Sequence, residues 1–136
     1  MSDNIQFYLA LDIGDKRIGV AMANSIARIA SPLTTLHVDD TIDEQIIALI
    51  KHNLINELII GLPRGLDGQE TEQTKKIRDF VDNFKSKTEI PIHLIDEAGT
   101  SLKAKEELAL RKKGFIKEDV DSLAASYILE DFLSEK

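Results

Sequence analysis

The sequence predicts an α/β fold: a mixed five-stranded sheet, built from a three-stranded antiparallel meander and two further parallel strands, flanked by helices in the order βββαβαβαα. Three observations predict it. Residues 7–36 carry short apolar runs separated by turn residues, which suits strands joined by hairpins. After residue 40 the apolar spacing lengthens to that of a helix. From there, two helical stretches each lead into another short apolar run, and strand–helix–strand crossovers make the joined strands parallel.

Residues 7–11 read as a buried strand and residues 17–23 as a second, joined across Ile13-Gly14-Asp15-Lys16, which has turn chemistry and hairpin length. Residues 27–36 form the third strand. Pro32 lacks an N–H for the ladder, so this strand belongs at an edge or carries a bulge. Thr41-Ile42-Asp43-Glu44 fits a capping box, and Ile42, Ile46, Leu49 and Ile50 then recur at helical spacing to about residue 53. Residues 57–60 are a short buried strand that stops at Gly61-Leu62-Pro63, read with Asp67-Gly68 as loop geometry first of all. From residue 69 the pattern is helical again, with Ile77, Phe80, Val81 and Phe84 on one face. Residues 92–95 are a strand bounded by Pro91 and by Asp96-Glu97. Ser101 can cap a helix over 101–111, ended by Gly114. The last helix carries Val120, Leu123, Ala124, Tyr127 and Ile128, with Asp119 as candidate N-cap and Asp121 in its first turn.

A length of 136 residues with 43% hydrophobic content points to a single domain over residues 1–136 with one core. The absence of cysteine excludes a disulfide scaffold, thiolate zinc sites and a thiol nucleophile, and agrees with the cytoplasm as location. MSDNIQ lacks the basic and apolar segments of an export signal, and no apolar run approaches the roughly 20 residues of a spanning helix, so no membrane association is expected. The net charge of −7 opposes nucleic-acid affinity, which rests on Lys and Arg neutralising phosphates. Basic residues nevertheless cluster at Lys16-Arg17, at Lys75-Lys76 with Arg78, and at Lys103 and Lys105 with Arg111-Lys112-Lys113. Either a basic face or a mixed, solvated surface is compatible with that pattern.

Parallel strands share a carboxyl edge, and open α/β sheets bind ligands there. Asp12 follows the first strand and Asp96-Glu97 the last, so both acids reach one rim. Asp121 can join them: eleven helical residues rise about 16 Å, while the seven residues 112–118 can extend about 23 Å and return the chain. Three carboxylates at one rim repel each other, and desolvation raises their pKa values unless a cation lies between them. Hard oxygen donors with no His or Cys nearby point to Mg²⁺ or Mn²⁺. Two such ions about 3.5–4 Å apart can drive phosphodiester hydrolysis. Plainer readings stand beside this one. Asp12 can close an Asx-turn, Glu97 can be an exposed loop acid, and Asp121 can complement a helix dipole. Lys16 and Arg17 are either solvated hairpin residues or phosphate contacts. His37, His52 and His93 show no ligand spacing and receive no role.

Asp12-Ile13-Gly14 with Lys16-Arg17-Ile18-Gly19-Val20-Ala21, Gly61-Leu62-Pro63 with Asp67-Gly68, Asp96-Glu97, and Val120-Asp121-Ser122 with Ala124-Ala125 and Ile128-Leu129 follow one another in an order that resembles the YqgF (RuvX) family. The resemblance covers nearly the whole chain. It implies a ribonuclease H-like fold and a metal-dependent nuclease that is Holliday-junction-resolvase-like and linked to maturation of the 5′ end of the small-subunit ribosomal RNA precursor. It implies Asp12, Glu97 and Asp121 as catalytic residues and ligands of Mg²⁺ (or Mn²⁺). Asp96 becomes a capping or supporting group, because neighbours on a strand point to opposite faces. Gly14, Lys16, Arg17 and Lys103 are the expected substrate contacts. The expected partner is nucleic acid, pre-rRNA or branched DNA, met by a monomer or homodimer.

One departure is specific. Family members continue the acidic pair with an arginine, a leucine and two threonines, where this chain has Ala98-Gly99-Thr100-Ser101. A bidentate phosphate contact is lost there, and Lys103 or Lys105 can offer only point charges. Two other functions fit parts of the chain: an Asp-x-Gly phosphate hairpin of the sugar-kinase and actin-like kind, and a non-catalytic RNA- or ribosome-binding factor.

Overall fold

The computed structural model describes residues 4–65, 67–97 and 117–135. Its sheet has the order β3-β2-β1-β4-β5. The first strand, β1 (Phe7–Ile13), is central. β2 (Arg17–Asn24) pairs with it antiparallel, and β3 (Ser31–His37) extends the meander to one edge. β4 (Glu57–Pro63) and β5 (Ile92–Glu97) run parallel to β1 on its other side. The predicted meander and two parallel strands are thus present. The helices are α1 (Ile42–His52), α2 (Glu72–Phe84) and α3 (Lys117–Ser134), with a short 3-10 turn at Lys85–Lys87. The predicted helix at 101–111, its Gly114 stop and the 112–116 part of the return segment lie outside the described residues.

Strand alternation sorts the core into two layers. Leu9 and Leu11 of β1, Ile18 and Val20 of β2, and Leu58, Ile60 and Leu62 of β4 face α1 and α2, where Ile46, Ile77 and Phe84 are fully or almost fully buried. Tyr8 and Ala10, Ala21 and Ala23, Ile59 and Ile95 face α3 and meet Ile128, Leu129 and Phe132. Burial on both faces explains the unbroken apolar run of β4, whose Leu58, Ile59 and Ile60 are each 0% exposed. At about 1.5–3 kcal/mol per large side chain, such residues dominate the stabilisation of the sheet.

Several local expectations are corrected. The third strand begins at Ser31, not at residue 27. Asn24 accepts the N–H groups of Ile26 and Ala27 on its side-chain oxygen, and Arg28 takes the left-handed conformation, φ 56°, so the chain is turning there. Pro32 does lie on the edge strand, and the β2–β3 register shifts between Val20 and Ala21. Thr41 precedes α1 but makes no side-chain cap; its hydroxyl donates to Asp39 instead. A capping box forms at α2, where Thr71 and Thr74 exchange side-chain and backbone contacts, so that helix starts at Glu72 rather than at residue 69. β4 runs through Gly61 and Leu62 to Pro63, so these residues are strand and not loop. Finally, α3 includes Lys117 and Glu118, which places Asp119 inside the helix and Asp121 beyond its first turn.

Candidate active site

The geometry of the rim follows from two glycines under α3. Gly19 pairs with Asp12 across the β1–β2 ladder, and a Cβ there would lie 1.8 Å from the carbonyl oxygen of Asp121. Only a bare backbone lets the helix sit that close. Gly61 is the counterpart on β4, where a Cβ would come within 2.4 Å of the Ile128 side chain. With Ala21 and Ala23 following Gly19 on the same face of β2, the strand offers a flat floor, and α3 lies against it. Asp121 is thereby delivered to the end of β1 that carries Asp12.

Asp12 belongs to the same face as Tyr8 and Ala10, toward α3, by strand alternation. Its carboxyl is pushed up to about 6 from an ordinary 3.8, first by burial and then by the negative charge of Asp121. The two acids are close enough to oppose each other's ionisation. Arg17, the first residue of β2, lies between the hairpin and the helix, and its Nε donates to Asp121 Oδ2 at 2.5 Å. The hairpin that holds Arg17 is closed by the Gly14 N–H, which donates to the Arg17 carbonyl at 2.9 Å. A Cβ on Gly14 would stand 2.8 Å from that oxygen, so glycine serves the turn itself. From the other layer, Gln73 Nε2 of α2 donates to the Ile13 carbonyl at 3.1 Å and braces the end of β1.

Glu97 shares the face and the edge. It alternates with Ile95, which packs toward α3, while Asp96 is exposed on the opposite face and accepts from Arg64 Nε at 3.1 Å. The Glu97 carbonyl also accepts the Arg64 N–H at 3.2 Å, fastening the end of β5 to the chain leaving β4. The register sets how far Glu97 stands from Asp12. Leu11 is level with Ile60 and Ile60 with Leu94, so Asp12 is level with Ile95, and Glu97 lies two residues further on and two strands away. Strand spacing puts the two Cα atoms about 12 Å apart. Accordingly, the described residues contain no group of three acidic or histidine side chains placed to hold one ion. The structure brings Asp12 and Asp121 together and leaves Glu97 on the same rim, at the far side of β4.

Of the expected substrate contacts, Lys16 is exposed at the hairpin tip, Gly14 and Arg17 are as described, and Lys103 lies outside the described residues with the Ala98-Gly99 departure. The α2 cluster is not an open basic face. Arg78 pairs with Glu70 at 2.7 Å, Arg64 reaches the same carboxylate at 3.3 Å, and Lys76 stands 3.6 Å from Asp15. His93 hydrogen-bonds Glu57 at 2.7 Å and packs against the Phe132 ring at a tilt of 40°, a packing role. Sequence reading missed the Arg17–Asp121 pair, Gln73 and the purpose of Gly19. The signal available for Gly19 was the run of small residues at every second position, Gly19, Ala21 and Ala23, which marks a strand face covered at close range.

Among the described residues no helix is long and apolar enough to cross a membrane. The fold is ribonuclease H-like, and solved structures of similar shape are Holliday junction resolvases. The Thermus thermophilus RuvC complexed with a Holliday junction superposes with TM-score 0.59 at 14% identity, covering 96% of this chain and 95% of that one. The fowlpox virus resolvase complexed with Holliday junction DNA gives TM-score 0.54 at 12% identity, covering 96% and 98%. Sequence relatives named "Putative pre-16S rRNA nuclease" include one from Chloroflexus aurantiacus, 37% identical over 98% of this chain and 90% of its own length. Another, from Sulfurihydrogenibium sp., is 42% identical over 92% and 88%, and one from Fusobacterium nucleatum is 40% identical over 95% and 97%. The sequence model of the RuvX family, described as Holliday junction resolvase, matches residues 6–135, and with these relatives at hand the chain belongs to that family.

Proposed function

We propose that this chain is a metal-dependent nuclease that processes the 5′ end of pre-16S rRNA in the cytoplasm, through one ribonuclease H-like domain spanning residues 1–136. The observation that carries the reading is the meeting of Asp12 and Asp121 at the carboxyl rim, with the Asp12 carboxyl raised by burial and by its neighbour. An acidic pair of that kind suits a hard divalent cation, which typically takes one or two carboxylates and completes its shell with water and phosphate oxygens. Asp12 and Asp121 would hold Mg²⁺ or Mn²⁺, with Glu97 as the third acid. Such an ion supplies Lewis-acid polarisation of the phosphate and a more acidic bound water.

The remaining work belongs to the chain. The central strand β1, buried on both faces, fixes Asp12 within a rigid frame, and Gln73 holds its end. Gly19 sets the height of Asp121 above the sheet. Lys16, exposed at the hairpin tip, offers a cation to a phosphate without the desolvation cost of a buried one. The named relatives support rRNA as substrate. The family's description supports a second reading, cleavage of branched DNA.

The test compares wild type with Asp12→Asn on a pre-16S 5′-end RNA and on a four-way DNA junction, in Mg²⁺, in Mn²⁺ and in EDTA, with mass measured in solution. Metal-dependent cleavage of the RNA by wild type alone is the expected result. Cleavage of the junction alone, by a dimer matching its two-fold symmetry, favours the second reading. Equal cleavage by both proteins, or binding with no turnover, refutes the nuclease assignment; the latter result identifies a binding factor.

A further inference from the structure

Arg17 touches Asp121 in a way that substrate binding does not explain. Two residues of one strand act on one helical residue: Arg17 through its guanidinium on the carboxylate, at 2.5 Å, and Gly19 through the bare backbone on which the Asp121 peptide rests. Both side chains of the ion pair are largely withdrawn from water, 26% exposed for Arg17 and 19% for Asp121. The backbone that carries the side chain is also fixed, since the Arg17 carbonyl closes the β1–β2 hairpin with the Gly14 N–H. It is therefore built into the same rim as Asp12, not suspended in solvent beside it.

We propose that Arg17 is a positioning residue that holds the Asp121 carboxylate as an internal counter-ion and competes with a divalent cation for it. The inference rests on the reading of Asp12 and Asp121 as metal ligands. An N–H donor at 2.5 Å occupies one acceptor site on Oδ2, and Mg²⁺ in its near-octahedral shell would draw on the same carboxylate. Two cations held by one carboxylate at contact distance repel each other. Metal binding at Asp121 thus draws on a carboxylate already ion-paired, and the affinity is reduced by the strength of the contact it weakens. The arrangement keeps the acidic pair folded and oriented ahead of metal binding, while holding the metal weakly enough to exchange.

Removing the guanidinium has opposite consequences under the two possible roles. If Arg17 merely supported the fold, or contacted only substrate, Arg17→Gln would leave metal affinity unchanged or lower it. If it competes, the affinity rises, by about fivefold for a partly exposed pair. The experiment is calorimetric titration of the full chain with Mn²⁺ at fixed pH and ionic strength, without nucleic acid, for wild type, Arg17→Gln, Arg17→Lys and Asp12→Asn. The expected order of affinity is Arg17→Gln above Arg17→Lys above wild type, with binding lost in Asp12→Asn. The lysine variant keeps a charge and the hydrogen-bonded strand, so it remains informative should the glutamine variant fold poorly. Equal or weaker Mn²⁺ binding by both arginine variants, with Asp12→Asn still deficient, overturns the competition and leaves the nuclease reading intact. Mn²⁺ binding that is indifferent to Asp12→Asn, or absent throughout, overturns both.

Discussion

Asp12→Asn is the substitution with the most calculable consequence, because it removes one charge from a site that resists charge. The Asp12 carboxyl sits at about 6 against an ordinary 3.8. At about 1.4 kcal/mol per unit, ionising it in the folded protein costs about 3 kcal/mol, an upper bound because the residue is only partly shielded from water. The sign follows from proton linkage. A raised acid binds its proton more tightly in the native state than in the unfolded chain, so folding is favoured at low pH and this stabilisation is lost as pH rises from about 4 to about 6. Asparagine has the shape of the neutral acid and none of this dependence. In EDTA, urea denaturation should therefore give stabilities within about 0.5 kcal/mol of each other near pH 4, and at pH 8 the asparagine variant should be the more stable by up to about 3 kcal/mol, or roughly 10 °C in Tm for a chain of this size. Mn²⁺ at about a hundred times its Kd should then stabilise wild type alone, by about 2.7 kcal/mol, and narrow the gap. A difference below about 0.5 kcal/mol at pH 8, or one that is the same at pH 4, would refute the account of Asp12 as a strained carboxylate beside Asp121.

Other substitutions separate the parts of the rim. Gly19→Ala places a methyl group against the Asp121 peptide, backbone on backbone, so α3 must shift; a loss of about 1–3 kcal/mol in urea denaturation and abolished cleavage are expected, whereas Gly61→Ala meets only the flexible end of Ile128 and should cost about 1 kcal/mol. Glu97→Gln should remove metal-dependent cleavage while Asp96→Asn, on the exposed face against Arg64, should retain it, as read by initial rates on the same RNA. Thr71→Ala removes the capping box of α2 and should lower stability by about 1 kcal/mol without changing metal affinity, measured by denaturation and titration side by side.

What the sequence determined by itself is the part of the molecule written in local periodicity. The apolar runs at 7–11, 17–23, 57–60 and 92–95 predict four strands because each element must bury a face of known period, and the crossovers predict which are parallel. That is also why Asp12 and Glu97 could be assigned to one rim: each follows or ends a parallel strand, and strand direction alone puts them at the same edge. Local chemistry was less decisive where two side chains competed for the same groups. Thr41 looked like a cap, but Asp39 lies within reach and takes its hydroxyl; Thr71 and Thr74 form a box that a search for Glu or Gln at the third position passes over.

Only the tertiary structure decided distances across elements remote in the chain. Arg17 and Asp121 are 104 positions apart, and nothing in either local pattern announces their ion pair. The approach of α3 depends on the absence of two Cβ atoms, at Gly19 and Gly61, and a glycine in a strand reads the same whether it admits a bulge, a ligand or a helix. The separation of Glu97 from Asp12 likewise comes from register, a cooperative property of three paired strands. Periodicity states which way a side chain faces; packing and register, which sum contacts over the whole sheet, state what it meets.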